Sequence, residues 1–251
     1  MYDITTIFIL LFTGLVVGFV NTLAGGGSTL MYPVLIFLGM PIHTAIGTSR
    51  VSFLAQGIFS VAGFKSKGIF LFPFNLYVAL SSLLGGLLGA WIGLKISGEN
   101  MTKILVIVMI MIAFLILFQS RINYSGLEKR IQGKSLWISL LIFFFIGLYG
   151  GFIQAGTGFL IIIALMLYNR LSITEANSIK GLVVLIFTIP ALILYLKAGH
   201  VDWTAGFILA AGTALGAWLT SRWSVQIPEK YIRSFLTLMI LFMAAKLWFT
   251  A

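Results

Sequence analysis

The chain has 251 residues, of which 60% are hydrophobic and 9% are charged, and 22 of them are phenylalanine. A soluble fold of this length has one or two cores, which cannot hide so much apolar surface. The composition therefore excludes an ordinary soluble protein and indicates an integral membrane protein. The net charge of +10 comes from Lys and Arg residues scattered singly between apolar runs, which argues against a nucleic-acid-binding stripe. Because there is no cysteine, disulfides and thiolate chemistry are excluded.

Ten apolar runs separated by polar turns are predicted to be helices, because long uncharged runs differ from the short alternating strands of a membrane barrel. The first run lacks the basic start and cleavage site of a signal peptide and is expected to be the first membrane segment. The second and seventh runs are too short for a span of about 20 helical residues. The ten runs are residues 4–22, 28–40, 46–64, 73–94, 102–119, 136–154, 158–168, 177–196, 204–221 and 231–249.

Each short run follows a glycine-rich break, "AGGGST" from Ala24 and "GGFIQAGTGF" from Gly150. Unwound backbone is tolerated in a membrane only where protein or water receives it, so the breaks predict two broken helical hairpins that line a cavity. The helix after the first break is expected to point its N-terminus, capped by Ser28 and Thr29, into that cavity, where it favours an anion. Close packing alone is the alternative for these glycines and the favoured interpretation for Gly85, Gly89, Gly93, Gly212 and Gly216.

The two halves of the chain match at four motifs in the same order. "GLVVGFVNTLAGG" from Gly14 aligns with "GLYGGFIQAGTGF" from Gly147, and "HTAIGTSRVS" from His43 aligns with "ITEANSIKGL" from Ile173. "LLGAWIGLK" and "ENMTKI" of the first half align with "ALGAWLTSR" and "EKYIRS" of the second. The matches predict an internal duplication. Its parts are a first repeat at 1–119, a linker at 120–135 and a second repeat at 136–251.

A broken hairpin followed by three spans reverses the direction of the chain, so the second repeat is predicted to be inverted. With the linker in the cytoplasm, and apart from Arg50 and Lys180, cytoplasmic turns carry Lys65, Lys67, Arg121, Lys129, Arg130, Lys134, Arg170, Arg222, Lys230 and Arg233, and outer turns carry Lys95, Lys103, Lys197 and Lys246. The positive-inside rule then predicts that both termini lie outside. The expected fold is an all-α polytopic membrane protein of two inverted repeats, with about 8–10 membrane segments.

The stretch "GFVNTLAGGGSTLMYPVLIFLGMPIHTAIGTSRVSF" from Gly18, together with "GLYGGFIQAGTGFLIIIAL" and "TEANSIKGLVVLIFTIPALILYLKAGHVDW", resembles the sulfite exporter TauE/SafE family. The resemblance covers nearly the whole chain and is carried mainly by the "GGGS" break and the following "AIGTSR". It implies a bacterial or archaeal inner-membrane transporter of small sulfur-containing or carboxylated anions. It does not name the substrate.

Two cations occupy equivalent positions in the predicted repeats, Arg50 after "GTS" and Lys180 after "ANSI". A charge inside a membrane is costly and usually has a partner or a task, and the partner here is predicted to be an anionic substrate. Snorkelling of both side chains to the interface is the alternative. The candidate substrate-binding residues are Asn21, Gly25, Gly26, Gly27, Ser28, Thr29, Thr48, Ser49, Arg50, Gln154, Gly156, Thr157, Gly158, Asn177, Ser178 and Lys180.

Inverted repeats with interrupted helices are typical of secondary transporters that work by alternating access. An anion channel with the same cavity is the alternative function. No Asp or Glu lies in the middle of an apolar run, so coupling to H⁺, coupling to Na⁺ and uniport all stay open. The expected partners are a small anion and the lipid bilayer, not nucleic acid, and a homodimer stays open.

Catalysis is not expected. A hydrolase with Ser28 as its nucleophile needs a base within hydrogen-bond reach, and the histidines at 43 and 200 are predicted to be solvated loop residues. The sequence shows neither a cluster of metal ligands nor a cofactor motif. The prediction is a transporter without a metal or cofactor.

Overall fold

The computed structural model describes residues 2–118, 128–223 and 229–250, and these residues form ten α-helices. Each predicted apolar run corresponds to one helix. The helices are α1 Ile4–Ala24, α2 Ser28–Phe37, α3 Ile42–Lys65, α4 Phe74–Leu94, α5 Gly98–Phe118, α6 Gly133–Phe152, α7 Thr157–Leu167, α8 Ile173–Lys197, α9 Trp203–Trp223 and α10 Glu229–Thr250.

Six helices in the described part of the chain are long and apolar enough to cross a membrane, namely α1, α4, α5, α6, α8 and α9. A helix of 21 residues such as α1 is about 30 Å long, which matches the hydrocarbon thickness of a bilayer. Helix α3 has 24 residues, but polar residues such as Arg50 and Gln56 make it less apolar. The prediction of an all-α polytopic membrane protein is confirmed.

The lateral surface of the helices is apolar, as lipid contact requires. Large exposed side chains include Phe12 on α1, Leu84 on α4, Phe145 on α6 and Phe207 on α9, each more than half exposed. In water such a surface would be an aggregation site, whereas hydrocarbon chains solvate it without cost.

Helices α3 and α8 lie side by side at the centre of the molecule. Helix α9 packs against α1 and α3, helix α4 packs against α6 and α8, and α5 packs against α10. These contacts are symmetric when α1–α5 are matched in order with α6–α10. The contact of α1 with α9 then corresponds to that of α6 with α4, and the contact of α3 with α9 to that of α8 with α4. The first half of the chain is therefore packed against the second along its whole length.

Small residues allow the closest helix pairs to approach. A Cβ atom added to Gly89 of α4 would lie 1.9 Å from the carbonyl oxygen of Leu148 in α6, and one added to Gly216 of α9 would lie 2.3 Å from that of Leu15 in α1. Neither backbone has room for a side chain, so the predicted packing role of these glycines is confirmed. The same close approach occurs at Gly85 and Gly212, with distances of 2.0 and 2.3 Å, whereas at Gly93 the nearest atom lies 3.0 Å away.

Residues 119–127 lie outside the described residues, and they include the first half of the predicted linker, 120–127. The last part of that linker is described, and α6 already begins within it, at Gly133. Lys129 forms an ion pair of 2.5 Å with Glu175 in the first turn of α8. The amide of Arg130 donates to the carbonyl of Asn169, so the segment before α6 is attached to the α7–α8 connection.

Candidate functional site

The two glycine-rich breaks interrupt the helices where the sequence predicts. The first lies between α1 and α2, and Gly25 adopts the left-handed conformation there, with φ of 76°. The second lies between α6 and α7, and it contains two left-handed residues, Gln154 with φ of 60° and Gly156 with φ of 67°. Glycine adopts this conformation freely, whereas a residue with a Cβ atom does so only at a cost.

The breaks touch each other in the interior. A Cβ atom added to Gly25 would lie 2.3 Å from the carbonyl carbon of Gly158, so two stretches of backbone are in contact here. The Ser28 hydroxyl accepts a hydrogen bond of 2.9 Å from the Gly156 amide and donates one of 3.2 Å to the Gln154 carbonyl. The start of α2 is thereby attached to the second break.

Some of the amides at the start of α2 are paired within the chain. The Thr29 and Leu30 amides donate to the carbonyls of Gly26 and Gly27, at 3.2 and 3.1 Å. The Thr29 hydroxyl also donates to the Gly26 carbonyl. The prediction that Ser28 and Thr29 cap α2 is wrong, since α2 has no side-chain cap and its first turn is closed by backbone carbonyls.

Arg50 is fully buried in α3 and binds the end of α6. Its Nη1 donates to the Gly150 carbonyl at 2.9 Å and to Gln154 Oε1 at 2.7 Å, and its Nη2 donates to the Gly151 carbonyl at 2.5 Å. The guanidinium carbon lies 5.4 Å from the ring centroid of Tyr195. Snorkelling is therefore wrong for Arg50, because the side chain turns inward to the second break.

Lys180 is 2% exposed in α8 and binds the end of α1. Its ammonium donates to the carbonyls of Asn21 and Thr22, at 2.7 and 2.9 Å, and to Asn177 Oδ1 at 2.6 Å. The Asn177 amide donates in turn to the Leu23 carbonyl at 3.2 Å. Snorkelling is wrong here as well.

Each half of the chain thus supplies a cation to the broken helix of the other half. Carbonyls at a helix C-terminus have no partner within the helix and carry partial negative charge, so they are suitable acceptors for a cation. Within residues 2–118, 128–223 and 229–250, no carboxylate pairs with either buried cation. Ion pairs found there include those of Lys103 with Glu99 and of Lys129 with Glu175.

All sixteen predicted site residues are buried, but not all of them meet at the breaks. Thr48 accepts a hydrogen bond from the Asp202 amide in the α8–α9 loop, and Ser178 donates to the Ile69 carbonyl in the α3–α4 loop. The Ser49 hydroxyl donates to a carbonyl of its own helix. These three hydroxyls bond away from the two breaks, whereas the remaining candidates lie at the breaks or on the cations.

Sequence reasoning missed four polar side chains beside the breaks. Asn21 donates to Gln56 Oε1 at 3.1 Å, and the Gln154 amide donates to the Thr188 hydroxyl at 3.3 Å. A lone polar residue in an apolar run was the available signal for Gln56 and Thr188. The other two, Tyr32 and Tyr195, are fully buried near Arg50 and look like ordinary core aromatics in the sequence.

The α8–α9 loop is anchored by polar contacts. The Tyr2 hydroxyl donates to Asp202 Oδ2 at 2.6 Å, and partial burial together with this carboxylate raises the pKa of Tyr2 to about 12. His43 lies in the first turn of α3 and donates from Nε2 to the Ile96 carbonyl, and its ring centroid lies 5.4 Å from that of His200, with the two rings tilted by 36°. Desolvation and the neighbouring His43 lower the pKa of His200. The prediction of solvated loop residues is wrong for His43, which lies in a helix. His200 lies in the α8–α9 loop as predicted, but it is partly buried beside His43.

Two clefts of about 400 and 200 Å³ open away from the breaks. The larger is lined by residues 68–71 and by Ser172, Thr174 and Glu175, and the smaller by residues 71–74, Tyr77 and the segment before α6. Both lie at the α3–α4 connection. At the two breaks, residues 25–29 and 153–159 are buried in this conformation.

Comparison with known proteins gives a consistent result. The family model described as "Sulfite exporter TauE/SafE" matches residues 10–247. A "probable membrane transporter protein" of Haemophilus influenzae is 26% identical over 95% of this chain and 93% of its own length. The "probable membrane transporter protein YfcA" of Escherichia coli K12 is 26% identical over 95% and 88%, respectively. A "probable membrane transporter protein" of Xylella fastidiosa is 31% identical over 85% of each chain.

No solved structure matches the chain. The family match extends from the first helix to the last, and the relatives align over most of their own lengths. The helices of the described residues are those of a polytopic membrane protein. The chain therefore belongs to the sulfite exporter TauE/SafE family of membrane transporters.

Proposed function

We propose that this transporter moves small sulfur-containing or carboxylated anions, such as sulfite, thiosulfate and sulfonates, across the plasma membrane by alternating access. The observation that carries the proposal is the pair of buried cations, Arg50 and Lys180, whose described partners are all neutral. Carbonyl dipoles lower the energy of a buried charge without cancelling it, so the centre of the molecule keeps a positive potential. An anion is the ligand that such a potential attracts.

Alternating access is supported by the closure of the breaks. An anion reaches the two cations only if the elements around the breaks separate, whereas a channel needs a continuous path. The helix contacts between the two halves occur in equivalent pairs, and this symmetry supports the proposed repeats at 1–119 and 136–251. Opening towards one side and then the other is the motion that inverted repeats provide.

The proposed topology places both termini outside and the linker in the cytoplasm, on the basis of the Lys and Arg distribution. The chain contains no cysteine, so a single cysteine at position 126, which lies outside the described residues, can be labelled selectively. A membrane-impermeant maleimide is expected to reach it in inverted vesicles but not in intact cells. Labelling from outside intact cells contradicts the topology.

The substrate class is tested on the purified protein by thermal shift against sulfite, thiosulfate, sulfate, sulfoacetate, taurine and simple carboxylates. A ligand at a hundred times its Kd stabilises the fold by about 2.7 kcal/mol, so the expected result is a raised melting temperature with at least one of these anions. Flux into proteoliposomes then distinguishes the mechanisms. A transporter saturates and exchanges its substrate, a channel follows the electrochemical gradient, and imposed H⁺ or Na⁺ gradients identify the coupling ion.

Position 26 offers a variant that separates transport from folding. A Cβ atom added to Gly26 would meet only the side-chain ends of Ile116 and Leu236, at 3.1 and 3.4 Å. Gly26→Ala is therefore expected to fold and transport, whereas Gly26→Leu places a large side chain against the break and is expected to insert normally but not transport. Full transport by Gly26→Leu would argue against movement at this break.

A further inference from the structure

The two buried cations differ in how many of their hydrogen-bond donors are used. An ammonium group has three donors, and Lys180 has three acceptors, the carbonyls of Asn21 and Thr22 and the side-chain oxygen of Asn177. All three distances lie between 2.6 and 2.9 Å. All three donors of Lys180 are therefore used, two by carbonyls at the end of α1 and one by Asn177, which lies one turn before Lys180 in α8.

Arg50 is not saturated. A guanidinium has five N–H donors, and three of those on Arg50 bond to Gly150, Gly151 and Gln154. Both donors of Nη1 are used, and Nη2 uses one. Among the described residues no acceptor reaches the buried Nε. The unused donors are therefore on Nε and Nη2, the adjacent nitrogens that bind an oxyanion side-on with two parallel bonds.

Two further unpaired hydroxyls lie beside this guanidinium, those of Tyr32 on α2 and Tyr195 on α8. Both residues are 0% exposed, and within the described part of the chain neither hydroxyl makes a hydrogen bond of ordinary length and angle. The Tyr195 ring centroid lies 5.4 Å from the guanidinium carbon of Arg50, and Tyr32 is also close enough to interact with that charge. Buried polar groups are nearly always paired, so several unpaired donors around one cation call for an explanation.

We propose that Arg50, Tyr32 and Tyr195 bind the transported anion, and that Lys180 is a positioning residue that holds the end of α1. This assignment rests on the proposed function. The unused donors suit a ligand with three acceptor oxygens on one centre, as in sulfite or a sulfonate, better than a carboxylate with two. Sulfur oxyanions are thus the substrate class that the site recognises, and the anion completes the hydrogen bonding of groups that the closed fold leaves unpaired.

The test measures dissociation constants for sulfite, sulfoacetate and acetate in detergent, with the melting temperature of each variant as the folding control. Tyr32→Phe and Tyr195→Phe remove one hydroxyl each and are expected to weaken sulfite or sulfoacetate binding about tenfold or more. Their melting temperatures should stay the same or rise, because the removed hydroxyl had no partner. Wild type should bind the sulfur oxyanions more tightly than acetate.

The cation variants separate binding from positioning. Arg50→Lys keeps the charge but lacks the Nε and Nη2 pair, so it should lose binding about as severely as Arg50→Gln, on the order of 10-fold to 100-fold. Lys180→Gln should lower the melting temperature and weaken anion binding less than Arg50→Gln does, because Lys180 contributes charge but has no free donor.

Ser60→Ala is the matched control. The Ser60 hydroxyl is buried and unpaired among the described residues, and it lies on α3 about 15 Å from Arg50 at 1.5 Å per residue. The variant should bind as wild type does. Wild-type affinity in both tyrosine variants overturns the assignment and leaves the proposed function standing. A wild-type protein that binds none of the probes while folded overturns the proposed function itself.

Discussion

The two breaks reverse the chain in equivalent places but with different materials. The first has three consecutive glycines, and Gly25, its left-handed residue, packs backbone against backbone on Gly158. The second places a glutamine in the left-handed conformation, and the side chain of Gln154 binds both Arg50 and Thr188. One break is shaped by the absence of side chains, and the other is held by a side chain.

This difference indicates that the two breaks have different structural roles. A residue with a Cβ atom in the left-handed region costs about 1–2 kcal/mol. At the second break this strain accompanies an acceptor for Arg50, the side-chain oxygen of Gln154. At the first break, the cation is bound by backbone and not by a side chain of the break, because Lys180 contacts the Asn21 and Thr22 carbonyls. Adding a side chain should therefore destabilise the protein more at the first break, and removing a polar side chain should destabilise it more at the second.

The largest effect is expected at Gly25. Gly25→Ala combines the left-handed penalty with a contact of 2.3 Å to the backbone at Gly158, which cannot move aside as a side chain could. We expect a loss of stability of more than about 2 kcal/mol, measured as the fraction of monodisperse protein and its melting temperature. Gly39→Ala is the control, because Gly39 has φ of 86° but no atom within 4 Å of its added Cβ. Equal losses in the two variants would contradict the importance of the Gly158 contact.

A smaller effect is expected from polar side chains at matching positions. Gln154→Ala removes an acceptor from a buried cation and should cost about 1.5–3 kcal/mol, whereas Asn21→Ala breaks a bond to the neutral Gln56 and should cost about 1 kcal/mol. Reversible unfolding in detergent compares the two. A larger loss for Asn21→Ala would remove the distinction between the breaks.

The smallest effect is expected at Thr157, the first residue of α7, which we compare with Ser28, the first residue of α2. Ser28→Ala loses two hydrogen bonds that join the breaks and should cost about 1–2 kcal/mol. The Thr157 hydroxyl has no partner among the described residues, so Thr157→Val should change stability by less than about 0.5 kcal/mol. Melting temperatures of the pair suffice, and a clear loss in Thr157→Val would reveal a partner for that hydroxyl.

The sequence predicted the helices and breaks because both have local causes. Apolar runs of sufficient length form helices in a membrane, and glycine clusters interrupt them. The starts of α3 and α8 were placed too late, at 46 and 177, because the polar residues before each run look like turns. For α8 a readable signal was present, since Ser172 and Glu175 form a capping box.

The partners of the cations could not be predicted in the same way. Arg50 and Lys180 bind backbone carbonyls more than 90 residues away in the chain, and a carbonyl has no signature in an amino-acid sequence. The same limit applies to Tyr32 and Tyr195, whose hydroxyls become conspicuous only when their neighbours are known. The sequence therefore indicated that two buried charges need partners, but it did not show that those partners are backbone carbonyls.

The exchange of cations between halves also bears on the biogenesis of the protein. Arg50 is synthesised 100 residues before the Gly150 carbonyl that it binds, and the Asn21 carbonyl precedes Lys180 by 159 residues. During insertion, the N-terminal half therefore contains a cation without its acceptors and a helix end without its cation. Neither half is electrostatically complete alone, so the two are expected to be stable only when co-expressed, and a ribosome that stalls after α5 would leave a fragment for membrane proteases to remove.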